Sequence, residues 1–197
     1  MHGDDDKRME ILRVSGKLFA QFGLRKTSVE EIARESRVAK GTIYKFFPSK
    51  DEIFKEVVRE ESASLVRQIR EAVSSTGTAR SRMRAFLLTK NTSIRAVVNF
   101  YRVTRETVSE LWPHVDGERE RYFTEEEKII AAILSDGVAA GEIAVTDVEL
   151  VSHAIVTALK GFELKWILER GSKDLEQTID TLLDILFRGI VPRGVHA

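Results

Sequence analysis

The segment Thr27–Lys50, TSVEEIARESRVAKGTIYKFFPSK, decides the fold of this chain. It divides into a short amphipathic stretch, a tight turn, and a second short stretch that carries Thr42, Tyr44 and Lys45. Pro48 ends the second stretch, because proline has no backbone N–H with which to continue a helix. Two short helices joined by a tight turn form a helix-turn-helix, whose second helix can enter a DNA major groove. The segment therefore predicts binding to double-stranded DNA.

Polar residues before each apolar stretch match the pattern of helix caps. Thr27, with Glu30 three positions later, fits a capping box in which each side chain bonds the other residue's backbone. Ser49 with Glu52 fits a second capping box further along the chain. We therefore expect a short helix after Thr27, a recognition helix over about residues 39–46, and a long helix after Ser49.

The rest of the chain has helical spacing of its apolar residues and no alternating strand pattern. Gly23 should end the first helix, Pro113 should break the chain between two later helices, and Thr146 should cap another. Outside the helix-turn-helix, the expected helices cover about 8–22, 49–73, 80–90, 93–111, 117–141, 146–170 and 172–191.

An all-α fold with two domains follows from this spacing. A three-helix DNA-binding domain over residues 7–50 would hold the helix-turn-helix, and a larger helical domain over 51–197 would hold the rest. The stretch Ser74–Ala79, SSTGTA, has the composition of a linker. The opening Met1–Arg8, MHGDDDKR, is typical of a disordered acidic lead or of a tag remnant, and no element is predicted for it before the first helix at about residue 8.

Composition excludes several classes of site. The 197 residues include no cysteine, so disulfides, thiolate metal sites and a cysteine nucleophile are excluded. No apolar run approaches the roughly 18 residues of a membrane span, so we expect a cytoplasmic protein without a membrane partner. Residues 7–50 hold eleven Lys and Arg against four Asp and Glu, a balance of +7, whereas 51–197 hold twenty against twenty-four, a balance of −4. The basic first quarter favours contact with phosphate.

The sequence VAKGTIYKFFPSKDEIF, residues 38–54, resembles the N-terminal signature of the TetR family of bacterial repressors, and the close match covers about residues 11–58. The resemblance implies an all-helical fold in which three helices bind DNA and a larger C-terminal domain binds a small effector and dimerises. The chain departs from the family at Arg37, where glycine is common at the turn. It departs again at Ala39, where serine is common and would supply a helix cap worth about 1 kcal/mol.

The resemblance also implies roles for individual residues of the helix-turn-helix. Side chains expected from the resemblance to contact phosphate oxygens are Thr27, Thr42, Tyr44 and Lys50. Arg37 departs from the family, and its charge is expected to add a phosphate contact of its own. Those expected to face the major groove are Lys40, Gly41 and Lys45, of which Lys45 is the best candidate for reading a base edge.

A small-molecule site is expected among the helices of the larger domain. Its mostly apolar candidate lining is Phe86, Leu87, Asn99, Phe100, Val103, Trp112, Phe123, Ile130, Phe162 and Trp166. This composition favours a hydrophobic or amphipathic effector such as an acyl compound, a planar aromatic or a lipophilic drug. Inward-facing Glu106, Glu110 or Glu163 would instead favour a cation, and the sequence leaves both open.

The last two helices offer a surface for a homodimer. Ala154, Ala158 and Gly161 follow one another at helical steps, and small residues in that pattern allow another helix to approach closely. The last helix adds Ile179, Leu182, Leu183 and Leu186. The alternative is that both helices close the core of one chain. A dimer would read two half-sites of an approximately palindromic operator.

The sequence thus favours a ligand-responsive repressor without a cofactor. A DNA-binding regulator whose larger domain responds to a protein partner is the alternative. An enzyme is disfavoured, because no HExxH, GxSxG, P-loop or dinucleotide-binding motif occurs. His114, Asp116 and His153 lack the spacing of metal ligands, so no metal site is expected.

Overall fold

The computed structural model describes residues 2–74, 77–94, 108–168 and 175–190. Within these ranges the chain forms eight α-helices and no strand, which confirms the all-α prediction. The helices are α1 (His2–Phe22), α2 (Val29–Glu35), α3 (Lys40–Phe46), α4 (Lys50–Ser74), α5 (Ala79–Ile94), α6 (Val108–Ala139), α7 (Val148–Leu168) and α8 (Leu175–Ile190).

The chain divides into two compact units. The first unit contains Met1–Ala63 and Val97–Glu120, and the second contains Ser64–Ala96 and Arg121–Ala197. The divisions fall inside α4 and α6, so each of these helices contributes to both units.

Helix α1 starts earlier than expected. It begins at His2, whereas the sequence predicted a start at about residue 8. Asp4 and Asp5 lie in its first turn, where negative charge favours the helix N-terminus. Gly23 ends the helix as predicted, with φ 86°, a left-handed conformation that glycine adopts without a steric penalty.

The core of the first unit joins α4 to α1 and includes a buried residue of α2. The rings of Phe19 and Phe54 meet edge to face with centroids 5.5 Å apart. Ile11, Ile32 and Ile53 are each fully buried. The Ser49 side chain caps α4 as predicted, since its hydroxyl oxygen accepts from the Glu52 amide at 3.2 Å. The start of α4 is therefore part of the first unit's core.

The capping box of α2 lies one residue later than predicted. Ser28, and not Thr27, is the N-cap, and its hydroxyl oxygen accepts from the Glu31 amide at 3.2 Å. The Ser28 amide donates in return to the Glu31 carboxylate at 2.7 Å, and this bond lowers the pKa of Glu31. A similar shift occurs at α7, where Asp147 accepts from the Leu150 amide at 2.9 Å and replaces the predicted cap.

In the second unit, α5 and the end of α6 approach closely. A Cβ at Gly137 would lie 2.7 Å from the Cβ of Ala79 and 3.1 Å from Ile143, so only glycine fits without displacement. The Ala79 amide donates to the Glu142 carboxylate at 2.6 Å. Gly141, with φ 71°, ends this helical region in the left-handed conformation.

The predicted break at Pro113 is wrong, because α6 is continuous through it. Proline removes one backbone donor, and the rest of this helix still forms.

Helix α8 packs on α5 within the second unit through ion pairs: the Arg84 guanidinium lies 2.7 Å from Asp180 and 3.0 Å from Glu176. Both carboxylates raise the pKa of Arg84.

Candidate nucleic-acid interface

The recognition helix α3 is anchored by its apolar side and open on its polar side. Ile43 is 0% exposed and Phe47, directly after the helix, is 2% exposed. Tyr44 is 47% exposed, and Lys45 is also exposed. This division places the hydroxyl and the ammonium group where a DNA groove or backbone can reach them.

Arg37 lies in the turn before α3 and has an unusual backbone conformation. Arg37 has φ 56°, the left-handed conformation that favours glycine. The Val38 amide donates to the Ala33 carbonyl at 3.0 Å, which closes the turn. Ala39 is the N-cap of α3 and makes no side-chain cap bond. The Arg37 side chain is exposed, and its contact with phosphate stays a prediction.

Thr27 and Lys50 do not present their side chains as predicted. Thr27 is 2% exposed, and its hydroxyl donates to the Gly23 carbonyl at 2.9 Å. The Lys50 ammonium donates to the carbonyls of Leu24 at 2.7 Å and Thr27 at 2.9 Å. Because both polar groups are directed at the backbone between α1 and α2, we correct their assignment from phosphate contacts to supports of this loop.

Two lysines of α3 are held by carboxylates from other helices. The Lys45 ammonium donates to Asp4 of α1 at 2.8 Å, and Lys40 donates to Glu30 of α2. A hydrogen bond from Lys45 lowers the pKa of Asp4, and one from Lys40 lowers the pKa of Glu30. Sequence reasoning missed both carboxylates, since neither is close to its lysine along the chain.

Arg8 is a further residue that sequence reasoning missed. Its guanidinium forms an ion pair with Glu56 of α4 at 2.5 Å and lies 5.4 Å from the centroid of the Phe47 ring. These contacts join the start of α1 to the segment that follows the recognition helix. The net positive charge of residues 7–50 was the one sequence signal that included Arg8.

The predicted effector residues fall partly within the described structure. Phe86 and Phe123 are buried in the second unit, at 0% and 5% exposure. Asn99, Phe100 and Val103 lie outside the described residues, and the side chains of Trp112, Phe162 and Trp166 also lie outside them.

A buried polar cluster lies beside Phe123 and was not predicted. Lys90 and Glu126 are both 0% exposed, with the ammonium 2.6 Å from the carboxylate, and the Tyr122 hydroxyl donates to the same carboxylate. The Lys90 ammonium lies 5.8 Å from the centroid of the Phe123 ring. Charged groups buried in this way need close partners, which explains the tight geometry.

The predicted dimer residues separate into two groups. Ile179 and Leu183 are 0% exposed within a single chain, so their assignment to a dimer interface is corrected to the core of the second unit. Ala154 and Ala158 are exposed, and Leu182 and Leu186 are half-buried. The Gly161 neighbourhood lies outside the residues whose burial is described.

Neither the pattern of a metal-binding cluster nor that of a membrane-spanning helix is found among the residues that the structure describes. The described residues contain no group of three or more His, Asp or Glu side chains placed to hold a metal ion. His153 lies 3.2 Å from Glu127. No described helix is long and apolar enough to span a bilayer.

Two family models match successive parts of the chain. The model for bacterial regulatory proteins of the tetR family matches residues 11–57. The model for the tetracyclin repressor-like C-terminal domain matches residues 76–190.

Relatives match over nearly the whole length. The chain is 26% identical over 190 residues to the fatty acid metabolism regulator protein of Bacillus subtilis, covering 93% of this chain and 95% of that protein. It is 28% identical over 193 residues to the transcriptional repressor KstR2 of Rhodococcus jostii, covering 95% of this chain and 93% of that protein.

Solved structures share the fold. The regulator FadR of Bacillus subtilis in complex with stearoyl-CoA has a TM-score of 0.73 at 22% identity, covering 92% of this chain and 98% of that chain. A transcriptional regulator from Cytophaga hutchinsonii has a TM-score of 0.77 at 22% identity, covering 92% and 97% respectively. Helix-turn-helix geometry and both family models agree: the chain is a transcriptional regulator that belongs to the TetR family of bacterial regulatory proteins.

Proposed function

We propose that this regulator is a repressor that binds an approximately palindromic operator as a homodimer and is released by a small hydrophobic effector. The observation that carries the proposal is the geometry of α3, which buries Ile43 and exposes Tyr44 and Lys45. A helix anchored on one side can enter the major groove without losing its support. In this proposal residues 7–50 bind DNA, and residues 51–197 bind the effector and dimerise.

The proposed DNA contacts come from α3 and the turn before it. Lys45 reads a base edge, with Lys40 and Gly41 facing the groove, while Thr42, Tyr44 and Arg37 contact phosphate oxygens. Lys50 and Thr27 support the loop between α1 and α2, and the DNA contact in that region is left to backbone amides.

The relatives support a fatty-acyl effector. One relative is named for the regulation of fatty acid metabolism, and one solved structure of the same fold holds stearoyl-CoA. The buried Phe86 and Phe123 can supply part of an apolar wall for an acyl chain. We therefore propose long-chain acyl-CoA as the effector class.

The outer surfaces of α7 and α8 support the homodimer. Leu150 and Ile185 are 63% and 67% exposed, which is unusual for large apolar side chains. Ala154 and Ala158 lie on the exposed side of α7. An open depression on α8 is lined by Gln177, Thr178, Thr181, Leu182 and Ile185. A second copy would cover these apolar groups and place two recognition helices on one DNA duplex.

DNA binding is tested on duplexes selected from a random pool by the full-length protein. Fluorescence anisotropy should show weaker binding by Lys45→Ala and Tyr44→Phe. Arg37→Ala, which removes a proposed phosphate-contacting charge, should lower the magnitude of the slope of log K against log KCl concentration by about one. Lys128→Ala, an exposed lysine of the second unit, is the control and should bind as the wild type does. Selection of no common sequence would refute operator binding.

The effector class is tested by adding stearoyl-CoA, stearate or coenzyme A to the protein–operator complex. Stearoyl-CoA should release the DNA, and coenzyme A should not. Linkage is reciprocal, so operator DNA should weaken stearoyl-CoA binding by the same factor by which stearoyl-CoA weakens operator binding. Equal affinity of stearoyl-CoA for free and DNA-bound protein would refute release by this effector.

A further inference from the structure

The two lysines of α3 that are proposed to face the major groove each pair with a carboxylate in the DNA-free protein. Asp4 Oδ2 accepts from Lys45 Nζ at 2.8 Å, and a Glu30 oxygen accepts from Lys40 Nζ. Each carboxylate comes from a different helix, α1 or α2, so both contacts depend on tertiary packing. A carboxylate oxygen on a lysine ammonium has the same charge and hydrogen-bonding role as a phosphate oxygen.

A second set of interactions positions the start of α1 for the Asp4–Lys45 contact. One helical turn after Asp4, the Arg8 guanidinium pairs with Glu56 at 2.5 Å and lies 5.4 Å from the Phe47 ring centroid. These contacts hold the first turns of α1 beside the end of α3. The pKa of the Asp4 carboxyl is lowered by Lys45, so this group is an anion at neutral pH.

Helix stability alone does not account for this arrangement. Asp4, Asp5 and Asp6 all lie near the start of α1, and each can favour the helix N-terminus. Asp4 contacts α3, whereas Asp6, two residues later, is rotated by about 200° around an α-helix. The two residues therefore carry the same charge on opposite sides of α1.

We propose that Asp4 is an intramolecular competitor for DNA, which occupies Lys45 and thereby lowers the affinity of the recognition helix for nucleic acid. DNA binding must exchange the Asp4 carboxylate for a phosphate or base acceptor, and it leaves a negative charge beside the DNA backbone. Both effects oppose binding at low salt and weaken as salt rises. The inference rests on the proposed DNA contact of Lys45. Glu30 acts in the same way on Lys40.

The test measures binding of the selected operator and of an unrelated duplex by full-length variants across about 50 to 200 mM KCl. Asp4→Asn should bind both duplexes about two- to fivefold more tightly than the wild type at the lowest salt, the range that an exposed ion pair accounts for. The gain should shrink as the salt concentration rises. Asp4→Glu, which keeps the charge, should bind as the wild type does.

Asp6→Asn is the matched control, because it makes the same change in net charge on the other side of α1. It should change affinity clearly less than Asp4→Asn. A double-mutant cycle isolates the contact: in the Lys45→Ala background, Asp4→Asn should have a clearly smaller effect than in the wild-type background, because only the repulsion between the Asp4 charge and the DNA backbone is then removed. Circular dichroism of each variant checks that α1 stays folded.

Two results would overturn the inference. One is an equal gain from Asp4→Asn and Asp6→Asn, which would mean that net charge alone acts. The other is a full Asp4→Asn gain in the Lys45→Ala background. Failure of the proposed function is a separate result, since Lys45→Ala by itself would then bind DNA as tightly as the wild type.

Discussion

Replacing Lys90 with methionine should lower the free energy of unfolding by about 3–5 kcal/mol, because it leaves the Glu126 carboxylate in the core without its ammonium partner. Both side chains are 0% exposed, so water cannot solvate the remaining charge in the folded state. The ammonium lies 2.6 and 2.7 Å from the two carboxylate oxygens, which is the geometry of two charge-assisted hydrogen bonds.

Removal of both the Lys90 and the Glu126 charge should lower the free energy of unfolding much less. In Lys90→Met/Glu126→Leu, apolar side chains of similar volume replace the pair, and such replacements are neutral or stabilising in other proteins. The Tyr122 hydroxyl then loses its hydrogen bond to the Glu126 carboxylate, and the loss of a buried hydrogen bond costs about 1–3 kcal/mol. Adding Tyr122→Phe should remove this cost, so the triple variant should be more stable than the double one.

Urea unfolding followed by far-UV circular dichroism gives the required free energies, at one protein concentration because self-association changes apparent stability. Arg70→Ala is the control. Arg70 pairs at 2.7 Å with Glu125, the residue before Glu126, and the two side chains are 51% and 36% exposed. Loss of this exposed ion pair should lower the free energy of unfolding by less than about 1 kcal/mol. The reasoning is refuted if Lys90→Met costs no more than Arg70→Ala, or if the double variant is as unstable as the single one.

Three further predictions concern backbone geometry and the loop between α1 and α2. Arg37→Gly should raise the free energy of unfolding by about 1 kcal/mol in urea titrations, because it relieves the left-handed conformation at φ 56°. Gly137→Ala should lower the free energy of unfolding by about 1–3 kcal/mol, since the added Cβ would lie 2.7 Å from the Cβ of Ala79. Gly117→Ala on the same helix is the control and should not lower it, because a Cβ there meets no atom within 4 Å. Lys50→Met should lower the melting temperature and weaken operator binding without changing its salt slope, and a slope lowered by about one would restore Lys50 as a phosphate contact.

Features encoded locally could be predicted from the sequence. Glycine at positions 23 and 141 ends a helical region in a left-handed conformation, which few other residues adopt without strain. The two short helices and the exposed side of α3 follow from apolar spacing and from Pro48. Capping was predicted one residue away from its observed position at α2. Thr27–Glu30 and Ser28–Glu31 both fit a capping box, and the burial of Thr27 in the tertiary structure decides between them.

Contacts between distant segments could not be predicted in the same way. Lys45 meets Asp4 across 41 residues, and Lys90 meets Glu126 across 36 residues. No local pattern distinguishes these carboxylates from the other acidic residues, because a surface charge and a paired charge look alike in sequence. The dimer prediction had the same weakness: Leu182 and Leu183 are neighbours in the chain, yet only Leu183 is fully buried.

In the proposed function, Lys50 affects DNA binding through the loop between α1 and α2 and not through a contact with DNA. A lysine ammonium has three N–H donors, and this one is directed at the carbonyls of Leu24 at 2.7 Å, Thr27 at 2.9 Å and Arg25 at 3.5 Å. A direct bond to phosphate would therefore compete with bonds that hold the loop before α2. Since α2 packs against α3, displacement of that loop would also move the recognition helix. The same lysine can thus be essential for operator binding and still contribute no charge to the salt dependence.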